Sequence, residues 1–383
     1  MLFTAVVLII AGGTAILYAR GYRFGINDDN KITVSPKGLL VANSDPNGAQ
    51  VFIDGELKTA TNSTMSLAPG TYDVIIKKDG FLGWQKRLTI EKETVTQIDA
   101  YLIPSAPSLT SLTFSGVFSP IISPDSSKIA YGVPPSSDNN DKAGLWVLET
   151  INLPLGFNRD PQQITDGDLT NASWEWSPDA QEILLTTKSG VFLLKAGQFT
   201  PQNQRINVAS KIETVKKEWE DEKTKRLDSQ LGRLEDEIEA IFKSKASRIE
   251  FSPDENRILY TANGSTTIPK DAVKQLPGSS TQKQEREIKE DVSYVYDIKE
   301  DRNFRVGKPG ETLSWLPNSL NLVLPMEGKI IVMDYDGTNM QTVFTGNYEY
   351  PHAYASTSSG RLLILTKLGG EETLPNLYWL SLK

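Results

Sequence analysis

Cysteine is absent from the 383 residues and histidine occurs once, as His352. These scarcities exclude thiol nucleophiles, disulfides, Cys-type zinc sites and iron–sulfur clusters, and leave any catalytic triad dependent on one imidazole. His352 follows Pro351 with no neighbouring carboxylate or serine motif, which suits a packing residue better than a base. Clustered basic charge is missing too. With 40 Lys+Arg against 48 Asp+Glu and a net charge of -8, the chain has no patch for neutralising phosphates, so nucleic acid is not an expected partner. Phosphate loops, dinucleotide-binding glycine patterns, His-Glu-x-x-His and EF-hand runs do not occur. The expectation is no catalytic residue, no cofactor and no metal. Composition leaves open carboxylate chemistry, oxygen-ligated metal, or no chemistry at all.

One long uncharged run is present. Residues 2–19 (LFTAVVLIIAGGTAILYA) would span about 27 Å as a helix at ~1.5 Å per residue, against a hydrocarbon core of ~30 Å. Only Thr4 and Thr14 break its apolar surface, so it has no polar face to turn to water. No small-x-small site precedes Arg20, and the expectation is an uncleaved single transmembrane anchor over 1–19, followed by a linker over 20–37. Arg20, Arg23 and Lys31 on the carboxyl side place the body in the cytoplasm if the positive-inside rule is taken literally, whereas the composition of the body fits an extracytoplasmic location, which is the expectation adopted.

Residues 38–104 contain short β-forming runs separated by turn signals. Val51-Phe52-Ile53 and Tyr72-Asp73-Val74-Ile75-Ile76 supply strands, while Asp54-Gly55, Pro69-Gly70 and Asp79-Gly80 supply tight turns. Six or seven strands in this span make a small β-sandwich, with Gly48 and Gly55 setting turns and Phe81 and Trp84 in the core. The segment resembles the PEGA domain through Pro46-Asn47-Gly48-Ala49, where Asn47 stands for the Glu of the name, and through VFIDG, LAPGTYDV and DGFLGW. That resemblance implies a non-catalytic module of bacterial envelope or surface proteins.

From 106 to 383 a phrase recurs: an apolar strand, a Ser-Pro-Asp-like turn, then a second apolar strand. The turns lie at Ser123-Pro124-Asp125, Ser177-Pro178-Asp179, Ser252-Pro253-Asp254, Leu316-Pro317-Asn318 and, degenerate, Thr357-Ser358-Ser359. Removing polar insertions leaves a period of roughly 38 to 44 residues, that of a four-stranded propeller blade. Third strands follow as LWVLE, GVFLLKA, VSYVYDI, KIIVMDY and NLYWLSL, and outer strands as QQITD, QRINV, NFRV and QTVF. The fifth copy has no outer strand downstream, so 109–114 (LTSLTF) is expected to complete it and close the ring. The repeats resemble the TolB-like, WD-repeat-like propeller family but lack its glycine after the turn aspartate. Asp125, Asp179 and Asp254 suggest metal by repetition, yet aspartate in such turns ordinarily accepts local backbone N–H groups, and the structural role is expected. The expected fold is therefore all-β: a PEGA sandwich at 38–104 and a five-bladed propeller at 106–383.

Two insertions interrupt the array. Within 211–246, Ile212, Val215, Trp219, Leu227, Leu231, Leu234, Ile238, Ile241 and Phe242 form a helical stripe interrupted at Lys223. The stripe either caps the chain's own surface or pairs with a partner helix, and Trp219, Leu227, Leu231, Leu234 and Ile238 are the candidate contacts for the second outcome. Residues 263–291 are polar and expected as a mobile loop. The expected function is a membrane-anchored, extracytoplasmic binding or scaffold protein of the bacterial envelope, with a protein or envelope polysaccharide as ligand. The alternatives are a polysaccharide enzyme using two carboxylates ~5 to 9.5 Å apart and a cytoplasm-facing scaffold.

Overall fold

The structure, a computed structural model, describes all residues except 1–3, 5–6, 8–10, 17–21, 27–31, 137–139, 152–159, 271–281, 358–359 and 370–373. The anchor expected over 2–19 falls largely on residues outside this set. Of that run, Thr4, Val7 and residues 11–16 are helical, and among the described residues no helix is long and apolar enough to cross a membrane. The expected linker is in part ordered: Tyr22–Ile26 pairs antiparallel with Ile32–Pro36. Both segments alternate β-formers with other residues, the pattern that lets two extended strands ladder.

Seven strands build the module. Ser63–Leu67, Gly38–Asp45 and Val95–Tyr101 form one sheet in that order, the last two parallel, and Glu56–Ala60, Gln50–Ile53, Gly70–Lys77 and Trp84–Ile90 form the other. Alternation decides which side chains enter the space between: Leu40 and Ala42, Val51 and Ile53, Val74 and Ile76, and Leu88 and Ile90 are buried at every second position. Asp54 and Gly55 both hold positive φ, at 50° and 84°, the backbone that a two-residue hairpin with right-handed strand twist requires.

The repeats of the remaining chain form five antiparallel sheets, one per repeat. Sheet one runs Phe118–Ile122, Lys128–Val133, Gly144–Glu149, Gln162–Asp166. Sheet two has three strands, Ser173–Trp176, Glu182–Thr187 and Gly190–Lys195. Sheet three runs Ala246–Phe251, Arg257–Ala262, Ser293–Asp297, Arg302–Arg305, and sheet four Ser314–Trp315, Asn321–Met326, Lys329–Asp334, Gln341–Thr345. Sheet five joins Tyr348–Ala355, Arg361–Thr366 and Asn376–Ser381 to Leu109–Ser111 from the start of the array. The last pairing sets Leu109 against Leu380, Thr110 against Trp379 and Ser111 against Tyr378, so the borrowed strand is shorter than the 109–114 run. The expected outer strand QRINV in sheet two is only a bridge between Phe192 and Asn207, because Arg205 turns away to bond Thr165 and Asp166 of sheet one.

Apolar clusters join neighbouring sheets. Leu145 and Val147 of sheet one meet Trp174 and Leu185 of sheet two, and Leu259 and Val295 of sheet three meet Leu322 and Met333 of sheet four. Val323 and Val332 of sheet four meet Leu362 and Leu380 of sheet five, and Leu363 and Trp379 of sheet five meet Ile129 and Tyr131 of sheet one.

Between sheets two and three stands the helical insertion, as α1 (Ile212–Leu231) and α2 (Asp236–Lys245). The break falls at 232–235 rather than at Lys223: Gly232 donates back to Asp228 O, and Glu235 is extended. Asp236, Glu237 and Glu239 in the first turn of α2 and Lys243 and Lys245 in its last suit the helix dipole. The polar 263–291 segment also carries order at its ends, where Thr266–Thr267 pairs with Glu287–Ile288 and Ile268 and Ile288 are buried.

Candidate functional site

The repeated turns are built alike. Ser123, Ser177 and Ser252 each donate Oγ to the aspartate two residues on at 2.6 Å, and Asp125, Asp179 and Asp254 each accept the backbone N–H of Ser127, Gln181 and Asn256 at 3.0, 3.0 and 3.2 Å. Hydrogen bonds to the ionised form hold all three carboxyls below the ordinary carboxylate value, against opposing burial at Asp125 and Asp254. The residue after the aspartate takes positive φ in each, at Ser126 (57°), Ala180 (57°) and Glu255 (55°), which is the conformation a glycine would adopt most cheaply. These aspartates therefore shape turns.

A cavity of about 380 Å³ lies where four of the turns approach α1, bordered by Asp125, Pro253, Trp315, Pro317 and Ser356 and by Arg226 and Gln230 of the helix. Glu250, on the first strand of sheet three, lines it. Its side chain is exposed to the cavity, and desolvation by the protein surrounding it pushes the carboxyl up to about 7, only partly countered by a hydrogen bond from the Trp315 backbone. Glu175, at an exposed position on the first strand of sheet two, is paired with Lys216 of α1 at 3.2 Å. Among the described residues no group of three or more His, Asp or Glu is arranged to hold a metal. His352 shares its Nδ1 with the Tyr354 hydroxyl at 2.6 Å, Tyr354 donates on to Pro120 O at 2.8 Å, and burial lowers the imidazole against the raising effect of Glu349.

Of the five candidate partner-helix residues, Leu231 and Ile238 are buried in the core of sheet three with Phe242, Tyr260 and Tyr296, and Leu227 and Leu234 pack against that core half-buried. Trp219 is half-buried and stands outside it. The carboxyl end of the stripe thus closes on the chain itself. Gln230 and Arg233 of the α1–α2 corner both reach Glu255 in the turn of sheet three.

A second polar centre, which none of the motifs above marks, lies where the module meets sheet four. The Trp84 indole and the Lys86 ammonium both reach Asp334 Oδ2 at 3.0 Å, and Lys86 lies 2.7 Å from Asp336. The Gln85 N–H donates to Asn339 at 2.9 Å and Gln341 donates to Gly83 O at 2.9 Å. Tyr101 and Ile103 enter the apolar cluster of sheets four and five, and Tyr101 donates to Leu382 O. Trp84–Ile90 is an edge strand, and sheet four covers it.

Residues 37–105 match the PEGA domain family. No curated protein matches the chain. Among solved structures it is similar to a putative TolB from Agrobacterium tumefaciens, with 12% identity and a TM-score of 0.23 over 68% of this chain and 76% of that one. It is also similar to TolB from Acinetobacter baumannii, with 11% identity and a TM-score of 0.20 over 90% and 64%, and to the AfRom2 CNH domain, with 8% identity and a TM-score of 0.32 over 72% and 99%. The architecture described above rests on strand pairing, not on these scores.

Proposed function

We propose that the chain, whose residues 37–105 form a PEGA domain, is a binding or scaffold protein of the bacterial cell envelope. In this reading residues 2–19 anchor it in the membrane, the PEGA domain sets the distance, and the five sheets are blades of a closed propeller that serves as an extracytoplasmic interaction platform. Closure is supported by the pairing of Leu109–Ser111 with Asn376–Ser381, which leaves neither end of the array as a bare sheet edge. The observation that carries the binding role is how the repeated polar groups are used. Asp125, Asp179 and Asp254 are spent within their own turns, so repetition has produced a frame and not a row of reactive groups.

A polysaccharide hydrolase would need a second free carboxylate near Glu250. Asp125, the other acid bordering that cavity, already accepts from Ser123 and Ser127. The test combines location and contact. The full-length protein is expected in the carbonate-resistant membrane fraction, released by deletion of 2–19, and cleaved by protease added outside the cytoplasmic membrane. A photo-crosslinker placed at exposed positions on the propeller is expected to give one discrete adduct. A soluble protein, or one protected from external protease, overturns the location; hydrolysis of envelope glycan that Glu250→Gln abolishes overturns the binding role.

A further inference from the structure

The second strand of every sheet begins opposite the end of the third, and the pair at that register can be compared across the repeats. It is Lys128 with Glu149 in sheet one, Glu182 with Lys195 in two, Arg257 with Asp297 in three, Asn321 with Asp334 in four and Arg361 with Ser381 in five. Sheets one to three set a base against an acid. Sheet five has no acid there. Sheet four keeps the acid and has lost the base. In sheet three Arg257 Nε lies 2.8 Å from Asp297, whereas in sheet four the Asn321 amide reaches Asp334 Oδ1 at 3.0 Å and brings a hydrogen bond without charge. Asp336, two residues on, adds a second buried carboxylate, held by Thr338 at 2.6 Å.

A buried acid with no cation is among the costliest groups a fold can carry. The missing charge arrives from the other domain. Lys86 comes off the edge strand of the PEGA domain into the 334–339 turn, and the side chains of Lys86, Asp334 and Asp336 are each no more than 10% exposed. The ammonium also lies 5.5 Å from the Trp84 ring centroid and 5.9 Å from that of Tyr335. Three acceptors of the one turn, on Asp334, Asp336 and Asn339, face three successive residues, Trp84, Gln85 and Lys86.

We propose that this mismatch is the docking code of the molecule: the 334–339 turn, with Asn321 in place of a base, is a receptor for a primary ammonium, and the Lys86 charge selects sheet four among five related sheets as the seat of the PEGA domain. The apolar contacts of Tyr101 and Ile103 bring the domains together, and the ion pairs fix which turn meets which strand.

The test uses the full chain. Lys86→Met keeps the stem and removes the charge. It is expected to lower the folding equilibrium constant on the order of 10²- to 10³-fold, since one partner of a buried pair has been taken away, and to abolish hydrogen-exchange protection of the Gln85 amide while the amides of Val74 and Ile76 keep theirs. Adding Asn321→Arg restores a base within sheet four, as in sheet three, and is expected to regain most of the stability without regaining Gln85 protection. Should that side chain not fit, Lys86→Met with Asp334→Asn and Asp336→Asn removes the unpaired charges instead and is expected to regain stability as well. Recovery in either combination supports the code. An unchanged Gln85 amide in Lys86→Met, or no recovery in both combinations, overturns it and leaves packing as the cause of docking.

Discussion

Trp379→Ala tests whether the array closes as one unit. Trp379 sits on the strand Asn376–Ser381, whose neighbours are Arg361–Thr366 on one side and Leu109–Ser111 on the other. Successive side chains on this strand point to opposite faces. Leu377 and Trp379 pack with Ile129, Tyr131 and Leu148 of sheet one, while Leu380 and Leu382 pack with Val323 and Val332 of sheet four. Trp379 is 6% exposed and Leu380 1%, so truncating either leaves a cavity worth about 3 to 5 or 2 to 5 kcal/mol respectively. Against a total stability of ~5 to 15 kcal/mol, either loss is large. At about 2 to 4 °C per kcal/mol for an array of this size, Trp379→Ala should lower the melting temperature by roughly 6 to 20 °C. Hydrogen exchange then separates the two variants. Trp379→Ala should speed exchange in Lys128–Val133 of sheet one, and Leu380→Ala should do so in Asn321–Met326 of sheet four. Exchange in sheet one that stays at its wild-type rate in Trp379→Ala, while sheet five alone loosens, would refute closure through this strand. The same strand end holds Tyr101 through Leu382 O, so deletion of 376–383 is expected to loosen PEGA docking along with sheets one and five.

Glu250→Gln should change stability in a pH-dependent way. The folded carboxyl is raised from 4.5 to about 7, so the protonated form is the one favoured by folding; that contribution is complete below about pH 4.5 and lost as pH rises through 7. The variant should therefore match wild type at pH 4.5 and exceed it at pH 8, by about 1 kcal/mol once screening by cavity water is allowed for; urea midpoints at the two pH values check this, and equal differences at both would contradict it. Phe242→Ala should cost about 3 to 5 kcal/mol, because its ring lies 4.8 Å from that of Tyr260 in the core of sheet three, whereas Trp219→Ala, outside that core, should cost less than ~1 kcal/mol. Comparable losses in denaturant titrations would show that both halves of the stripe share one core. Ser126→Gly should raise stability by about 0.5 to 1 kcal/mol by relieving positive φ without removing a side-chain contact of the turn aspartate, measurable as a small rise in midpoint.

Most of the β-architecture was legible because its determinants are local. Serine followed two residues on by aspartate closes a turn by bonds inside five residues, and strands such as Arg361–Thr366 announce themselves by uninterrupted apolar runs. The outer strand of sheet two departs from its expected pairing for the opposite reason: Arg205 is committed to Thr165, forty positions away, and only Asn207 is left to bridge to Phe192. The interdomain site was invisible on the same grounds. Trp84 looked like a core residue and is one, at 3% exposure, but its indole N–H is satisfied 250 residues downstream. The one trace of that site is Asn321, which stands where the other copies begin the second strand with a charged residue, Lys128, Glu182, Arg257 or Arg361.

The helices are inserted at a step of the array that lacks polar ties between neighbouring sheets. At the first step of the array Lys128 Nζ reaches Ala180 O in the next turn and Trp176 Nε1 reaches back to Ile121 O; at the third step Arg257 reaches Ser319 O and Trp315 reaches back to Glu250 O. At the second step the corresponding residues are Glu182 and Phe251, and neither side chain carries a donor for those carbonyls. Sheets two and three thus lack this pair of polar ties, as do sheets four and five, where Asn321 bonds within its own sheet and Ala355 has no donor. This is where the helices enter, bonded to sheet two through Lys216 of α1 and Glu175 and to sheet three through Arg233 of the α1–α2 corner and Glu255, with Leu231 buried between the helices and the sheet. An insertion at the first or third step would have had to break two half-buried hydrogen bonds, each costly to leave unmade. At the second step the helices supply contacts that those two positions do not, so the amphipathic insertion is a structural element of the array, and its packing residues answer to sheet three before they answer to any partner.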